Sequence, residues 1–160
     1  MNIKTILLGI ALVIILLLIS FGVSRIFFNG TLPFQKQATA TINNHTFNLI
    51  VAKSAREKEI GLSDRKDLPK DQGMLFPFDK EGYYGFWMKN MQFPIDIIYI
   101  KKGKIVTIFE NVKPPKDTGG KLIVYQSTET ADTVLEINAG LVKEYEIKVG
   151  NEIKYENLSN

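Results

Sequence analysis

Residues Thr5 to Ser24 (TILLGIALVIILLLISFGVS) run for twenty positions without a charge. As an α-helix rising about 1.5 Å per residue, such a run is roughly 30 Å long, the thickness of a bilayer's hydrocarbon core. Lys4 and Arg25 bracket it, where their charges reach the headgroups. Gly22-Val23-Ser24 has the small-x-small form of a signal-peptide cleavage site, but the apolar core from Ile6 to Ile19 is long for a segment meant for removal. The run is therefore expected to be a retained anchor. Basic residues are nearly balanced across it, Lys4 and the terminal amine against Arg25 and Lys36, so the positive-inside rule gives little bias. A short tail and a stretch free of acidic residues up to Lys53 fit a signal-anchor that sends the rest of the chain out of the cytoplasm. The expected layout is a tail at 1–4, a transmembrane signal-anchor helix at 5–28, a stalk at 29–38 and a domain at 39–156.

That last segment has the length of one domain with one core. Setting aside Lys4 and Arg25 leaves 18 basic against 17 acidic residues, too even a balance for a nucleic-acid partner. The chain has no cysteine, which excludes disulfides, thiolate metal sites and a cysteine nucleophile. Its one histidine, His45, follows an expected turn, an unsuitable place for a catalytic triad or a histidine metal centre. No phosphate-binding loop or calcium-loop spacing occurs, and neither metal nor cofactor is expected.

The domain reads as mainly β. Ala38–Ile42 and Thr46–Ala52 flank Asn43-Asn44, a hairpin signal because asparagine tolerates positive φ. Ser54-Ala55-Arg56-Glu57 is a capping box and predicts the main helix, running to about Leu62. After the loop Ser63–Gln72, short β-branched or aromatic segments follow at 73–78, 83–90, 95–100, 104–110, 122–126 and 132–137. This spacing predicts a small β-sandwich or barrel-like domain. Pro114–Gly120 is a loop, Ala139–Tyr145 a short helix, and Ile147–Tyr155 a last strand with a turn at Gly150-Asn151.

Gly73-Met74-Leu75-Phe76, Phe86-Trp87-Met88-Lys89-Asn90, Pro94-Ile95-Asp96, Val134-Leu135-Glu136 and Ala139-Gly140 together resemble the bacterial and archaeal family catalogued as domain of unknown function 192. The resemblance covers about Phe47 to Ile153. It implies a compact, mostly β domain with one main helix, commonly behind a signal peptide or anchor, and no established activity. The chain departs from the family pattern at Met91, where a threonine is usual, and at Ser63-Asp64 before Arg65, where a Met-Phe pair is usual.

Along 83–90, strand alternation places Trp87 and Lys89 on one face. Asp96 and Glu136 each sit among apolar neighbours on their own strands, and burial of a carboxylate calls for a partner. Lys89 and Arg65 are the expected partners, as Lys89–Asp96 and Arg65–Glu136 or the swapped pairs. One reading makes these ion pairs purely structural, with Trp87 in the core. The other gathers Arg65, Trp87, Lys89, Asn90, Asp96 and Glu136 around a polar small molecule or glycan, the indole covering C–H faces while amide and charges bond hydroxyls. The favoured function is a non-catalytic, membrane-anchored extracytoplasmic binding module for carbohydrate or envelope polymer. The alternatives are a structural or accessory protein contacting another envelope protein, and a glycoside hydrolase using Asp96 and Glu136 as its acid pair.

Overall fold

The computed structural model describes residues 36–63, 65–116 and 122–158. The expected tail, anchor and most of the stalk lie outside these residues, as does the tip of the Pro114–Gly120 loop. Among the described residues no helix is long and apolar enough to cross a membrane.

Local chemistry sets the first elements. Strands β1 (Thr39–Ile42) and β2 (His45–Val51) pair through the Asn43-Asn44 turn, whose φ angles of 47° and 66° give the twist that paired strands need. Ser54 then caps α1 (Ala55–Ile60): its hydroxyl accepts the Glu57 N–H, and the Glu57 carboxylate accepts the Ser54 N–H at 2.7 Å. These bonds, the Ser54 N–H first among them, hold the Glu57 carboxyl below its ordinary range. The helix stops at Gly61, whose φ of 54° disfavours any side chain.

Helix α1 lies in the crossover that lets β2 pair in parallel with β3 (Gln72–Gly82). The chain continues through β4 (Gly85–Trp87), β5 (Ile95–Lys101), β6 (Lys104–Val112), β7 (Val124–Gln126) and β8 (Ala131–Asn138) to α2 (Leu141–Glu144) and β9 (Lys154–Glu156). Seven strands form one sheet in the order β6-β5-β8-β3-β2-β1-β9, while β4 and β7 form a separate ribbon. The segment leading into β9 reaches the start of β6. There the Ile105 N–H donates to the Asn151 carbonyl, the Gly150 N–H to the Ile105 carbonyl, and the Ile153 N–H to the Gly103 carbonyl. The sheet thus curls into a half-barrel. Of the two expected forms, barrel and sandwich, the domain takes the first in partial form, because a single sheet closes over its own concave face.

Several elements are shorter than expected. The strand over 83–90 reduces to β4, and of Ile147–Tyr155 only the end joins a strand, β9, while Glu152 makes an isolated bridge to Lys104 after the turn at Gly150 with φ 90°. Among the described residues both expected helices form, the main one short at six residues and the second, near the expected Ala139–Tyr145, at four.

Side-chain alternation divides the core in two. Phe47, Leu49, Leu75, Ile98, Leu135 and Ile137 fill the concave side, with Leu141 and Val142 of α2. On the convex side, Met74, Phe76, Ile97, Tyr99 and Val134 are covered by Ala52, Leu62, Leu68, Met88 and Met91. Strand β5 is therefore buried at every position from Ile95 to Ile100, the pattern of a strand covered on both faces.

Candidate functional site

The convex cover is incomplete over β8, and there it leaves a cavity of about 230 Å³. Glu136 forms part of its floor. It shares its face with Val134 and lies opposite Met74 on β3 and Ile97 on β5, so its strand neighbours offer it no polar group. The residue is 5% exposed, and among the described residues nothing hydrogen-bonds or ion-pairs with its carboxyl. Burial pushes this carboxyl up to about 8, so it carries its proton at neutral pH.

Aromatic rings build the walls. Phe76 and Phe78 come from β3, and Tyr84, Phe86 and Trp87 from the ribbon and the turn before it. Phe78 and Tyr84 stack with centroids 3.5 Å apart, and Phe76 meets Phe86 edge to face at 5.0 Å. The ribbon is fastened to the sheet by Tyr99, whose hydroxyl lies 2.9 Å from the Tyr84 carbonyl and 2.6 Å from that of Tyr125. Burial first, and the Glu136 charge second, raise the Tyr99 hydroxyl above its ordinary range, so it stays a donor. Helix α1 contributes Lys58 and Glu59 to the mouth.

Three other lining side chains have partners. The Ser63 hydroxyl donates to the Lys89 carbonyl at 2.8 Å, and the Tyr84 hydroxyl donates to the Lys80 carbonyl. The Lys58 ammonium sits 4.7 Å from the centroid of the Phe78 ring. Glu136 is left as the polar group at the floor with capacity to spare.

Four of the six residues singled out from the sequence come together here. Glu136 and Trp87 line the cavity, and Lys89 and Asn90 line an adjoining hollow of about 170 Å³ that shares Trp87 and Ser63 with it. Trp87 is 44% exposed, so it is not a core residue. Arg65 is exposed and lines neither space. Asp96 lies on the opposite face of the sheet, because the β5–β8 register sets Asp96 against Ile137 and Glu136 against Ile97. It is fully buried there, accepting the Asn111 N–H at 2.7 Å and the Val142 N–H of α2 at 2.9 Å.

None of the expected ion pairs, Lys89–Asp96, Arg65–Glu136 or the swapped pairs, is formed. The reason for Asp96 is that backbone N–H groups satisfy it instead. Nor can Asp96 and Glu136 flank one glycosidic bond across the thickness of a sheet, as a hydrolase pair must. Sequence reasoning passed over Phe76, Phe78, Tyr84 and Phe86 as lining. The signal that points to them is the density of six aromatics between Phe76 and Trp87. Met91 and Ser63, two departures from the family pattern, also line the cavity.

A profile of the family described as Uncharacterized ACR, domain of unknown function 192, matches residues 37–155. The chain belongs to this family. Two solved structures share its fold. A protein of unknown function from Novosphingobium aromaticivorans is 28% identical, with 74% of this chain and 83% of that one covered and a TM-score of 0.65. A protein from Sinorhizobium meliloti, described as a candidate transcription regulator, is 30% identical, with 76% and 94% covered and a TM-score of 0.67. No curated protein matches the chain.

Proposed function

We propose that this member of the domain of unknown function 192 family is a membrane-anchored, extracytoplasmic, non-catalytic binding domain whose ligand enters the aromatic cavity and meets Glu136. The uncharged run Thr5–Ser24 supports the anchor. One observation carries the binding reading: the carboxyl of a residue only 5% exposed, without a partner among the described residues, opens into a cavity walled by rings. A carboxyl so enclosed gives up much of its hydration with no partner in exchange, and a leucine between Met74 and Ile97 would carry no such cost. A group that weakens the fold while facing an open cavity is what a binding site requires and a structural role does not. The regulator description of the Sinorhizobium structure carries little weight for this chain, whose charges nearly balance outside the anchor region.

Trp87 is the chain's single tryptophan and lines the cavity, so its emission reports occupancy directly. The full-length chain in maltoside micelles is titrated with a panel of glucose, N-acetylglucosamine, glycerol, acetate, choline and butylamine. A saturable change with one class, lost in Glu136→Leu, supports the reading; silence across the whole panel refutes it. Digestion of the domain by protease added outside intact spheroplasts tests its address, and protection there counts against the extracytoplasmic placement.

A further inference from the structure

The geometry points to an alkylammonium cation as the ligand of this cavity, its charged head against the Glu136 carboxylate and its methyl or methylene groups against the rings. This inference rests on the binding reading above and adds the chemical class.

Three observations select that class. The first is polarity. A sugar ring presents several hydroxyls that each need a partner, but the Ser63 and Tyr84 hydroxyls already donate elsewhere. At the floor Glu136 offers one acceptor site amid apolar walls, with the exposed Glu59 carboxylate at the mouth, which matches a ligand with a compact positive charge and an apolar skirt. The second is the character of the walls. Phe76, Phe78, Tyr84, Phe86 and Trp87 supply ring surface, and ring faces attract cations through their quadrupole. An ammonium already sits over one of them, that of Lys58 at 4.7 Å from the Phe78 centroid, without reaching Glu136 in an ion pair. The third is size. A space of about 230 Å³ suits a small head and excludes most of a larger body.

Binding then includes a proton step that balances simply. The empty site holds Glu136 as its neutral acid; the cation enters, the carboxyl O–H releases its proton to solvent, and the carboxylate left behind neutralises the ligand's charge. The titratable groups on the elements packed around Glu136 are Tyr99 of β5, Tyr84 before β4, and Lys58 and Glu59 of α1, and Glu136→Gln separates the carboxyl's contribution from theirs.

Choline and its uncharged isostere 3,3-dimethyl-1-butanol differ by a nitrogen for a carbon and need no variant. With full-length chain in maltoside micelles, choline is expected to change Trp87 emission at a concentration at least about tenfold lower than the alcohol. Calorimetry in two buffers of different ionisation enthalpy is expected to show about one proton released per choline near pH 6.5, and affinity rising up to about tenfold per pH unit between pH 6 and 7.5. Glu136→Gln, still folded by its melting transition, is expected to lose both effects. Saturation by choline assigns a free solute, and a response confined to added phosphatidylcholine assigns a lipid headgroup; either carries the cation. Equal response to the alcohol, or binding without proton release, overturns the cationic class. A response only to an uncharged or anionic panel member overturns this inference alone, and silence toward every member overturns the binding reading with it.

Discussion

Glutamine in place of Glu136 should flatten the dependence of stability on pH, and the size of the change follows from burial. The carboxyl's ordinary value is 4.5, and in the folded chain it lies near 8. Below 4.5 both states hold the proton and no difference arises. Between 4.5 and 8 the folded state keeps a proton that the unfolded chain releases, so rising pH favours unfolding by about 1.4 kcal/mol per unit. From pH 5 to 7.5 the wild type should therefore lose on the order of 3 kcal/mol that the non-titrating amide does not lose. Glu136→Leu should gain about 1 kcal/mol more at every pH, since no desolvated polar group remains between Met74 and Ile97. Residues Gln37–Asn160 form a compact unit of their own, and its urea unfolding at pH 5, 6, 7 and 7.5, followed by circular dichroism, measures both. Other titrating groups cancel in the difference between wild type and variant. A difference that stays constant across pH, or a leucine variant that is less stable than wild type, would mean that Glu136 has a structural partner and would falsify the assignment of the cavity floor.

Asp96→Ala should be damaging, costing about 3 kcal/mol, because it strips the carboxyl acceptor from two N–H donors, the part-buried one of Asn111 and the buried one of Val142. Chemical denaturation reads this directly, and a loss below about 1 kcal/mol would remove its structural role. Tyr99→Phe leaves the Tyr84 and Tyr125 carbonyls without their shared donor and should cost about 1–2 kcal/mol, with faster amide exchange confined to β4 and β7; unchanged exchange there would show that the ribbon is held by packing alone. Ser54→Ala breaks the capping box of α1 and should lower stability by about 1 kcal/mol, visible in thermal melting, whereas an unaltered melt would assign the helix start to tertiary contacts.

Much of the fold is legible one segment at a time. The paired asparagines at 43 and 44 announce the first hairpin, and Ser54 with Glu57 announces the start of α1, because each signal lies within a few residues and needs no distant partner. The strands β5, β6 and β8 follow from β-branched runs bounded by turn residues. The strand expected over 83–90 was harder to place. Its aromatics suit a strand, yet β4 pairs only with β7, a segment almost forty residues later in the chain, and only over Gly85–Trp87. Nothing local specifies that partner. The same holds for the closure of the half-barrel, which depends on backbone bonds between residues 103–105 and 150–153.

The site divides in the same way. By itself the sequence determined that Asp96 and Glu136 are carboxylates on apolar strands, that Trp87 stands near Lys89 and Asn90, and that twenty uncharged residues precede the domain. Tertiary structure alone decided that the two carboxylates have opposite fates. The register between β5 and β8 turns Asp96 toward the concave side, where backbone N–H groups receive it, and turns Glu136 outward beneath a ribbon that leaves space above it. Strand side chains alternate with a period of two, so a shift of one residue in that pairing would exchange the faces, and pairing across a sheet is set by contacts that no short stretch of chain contains.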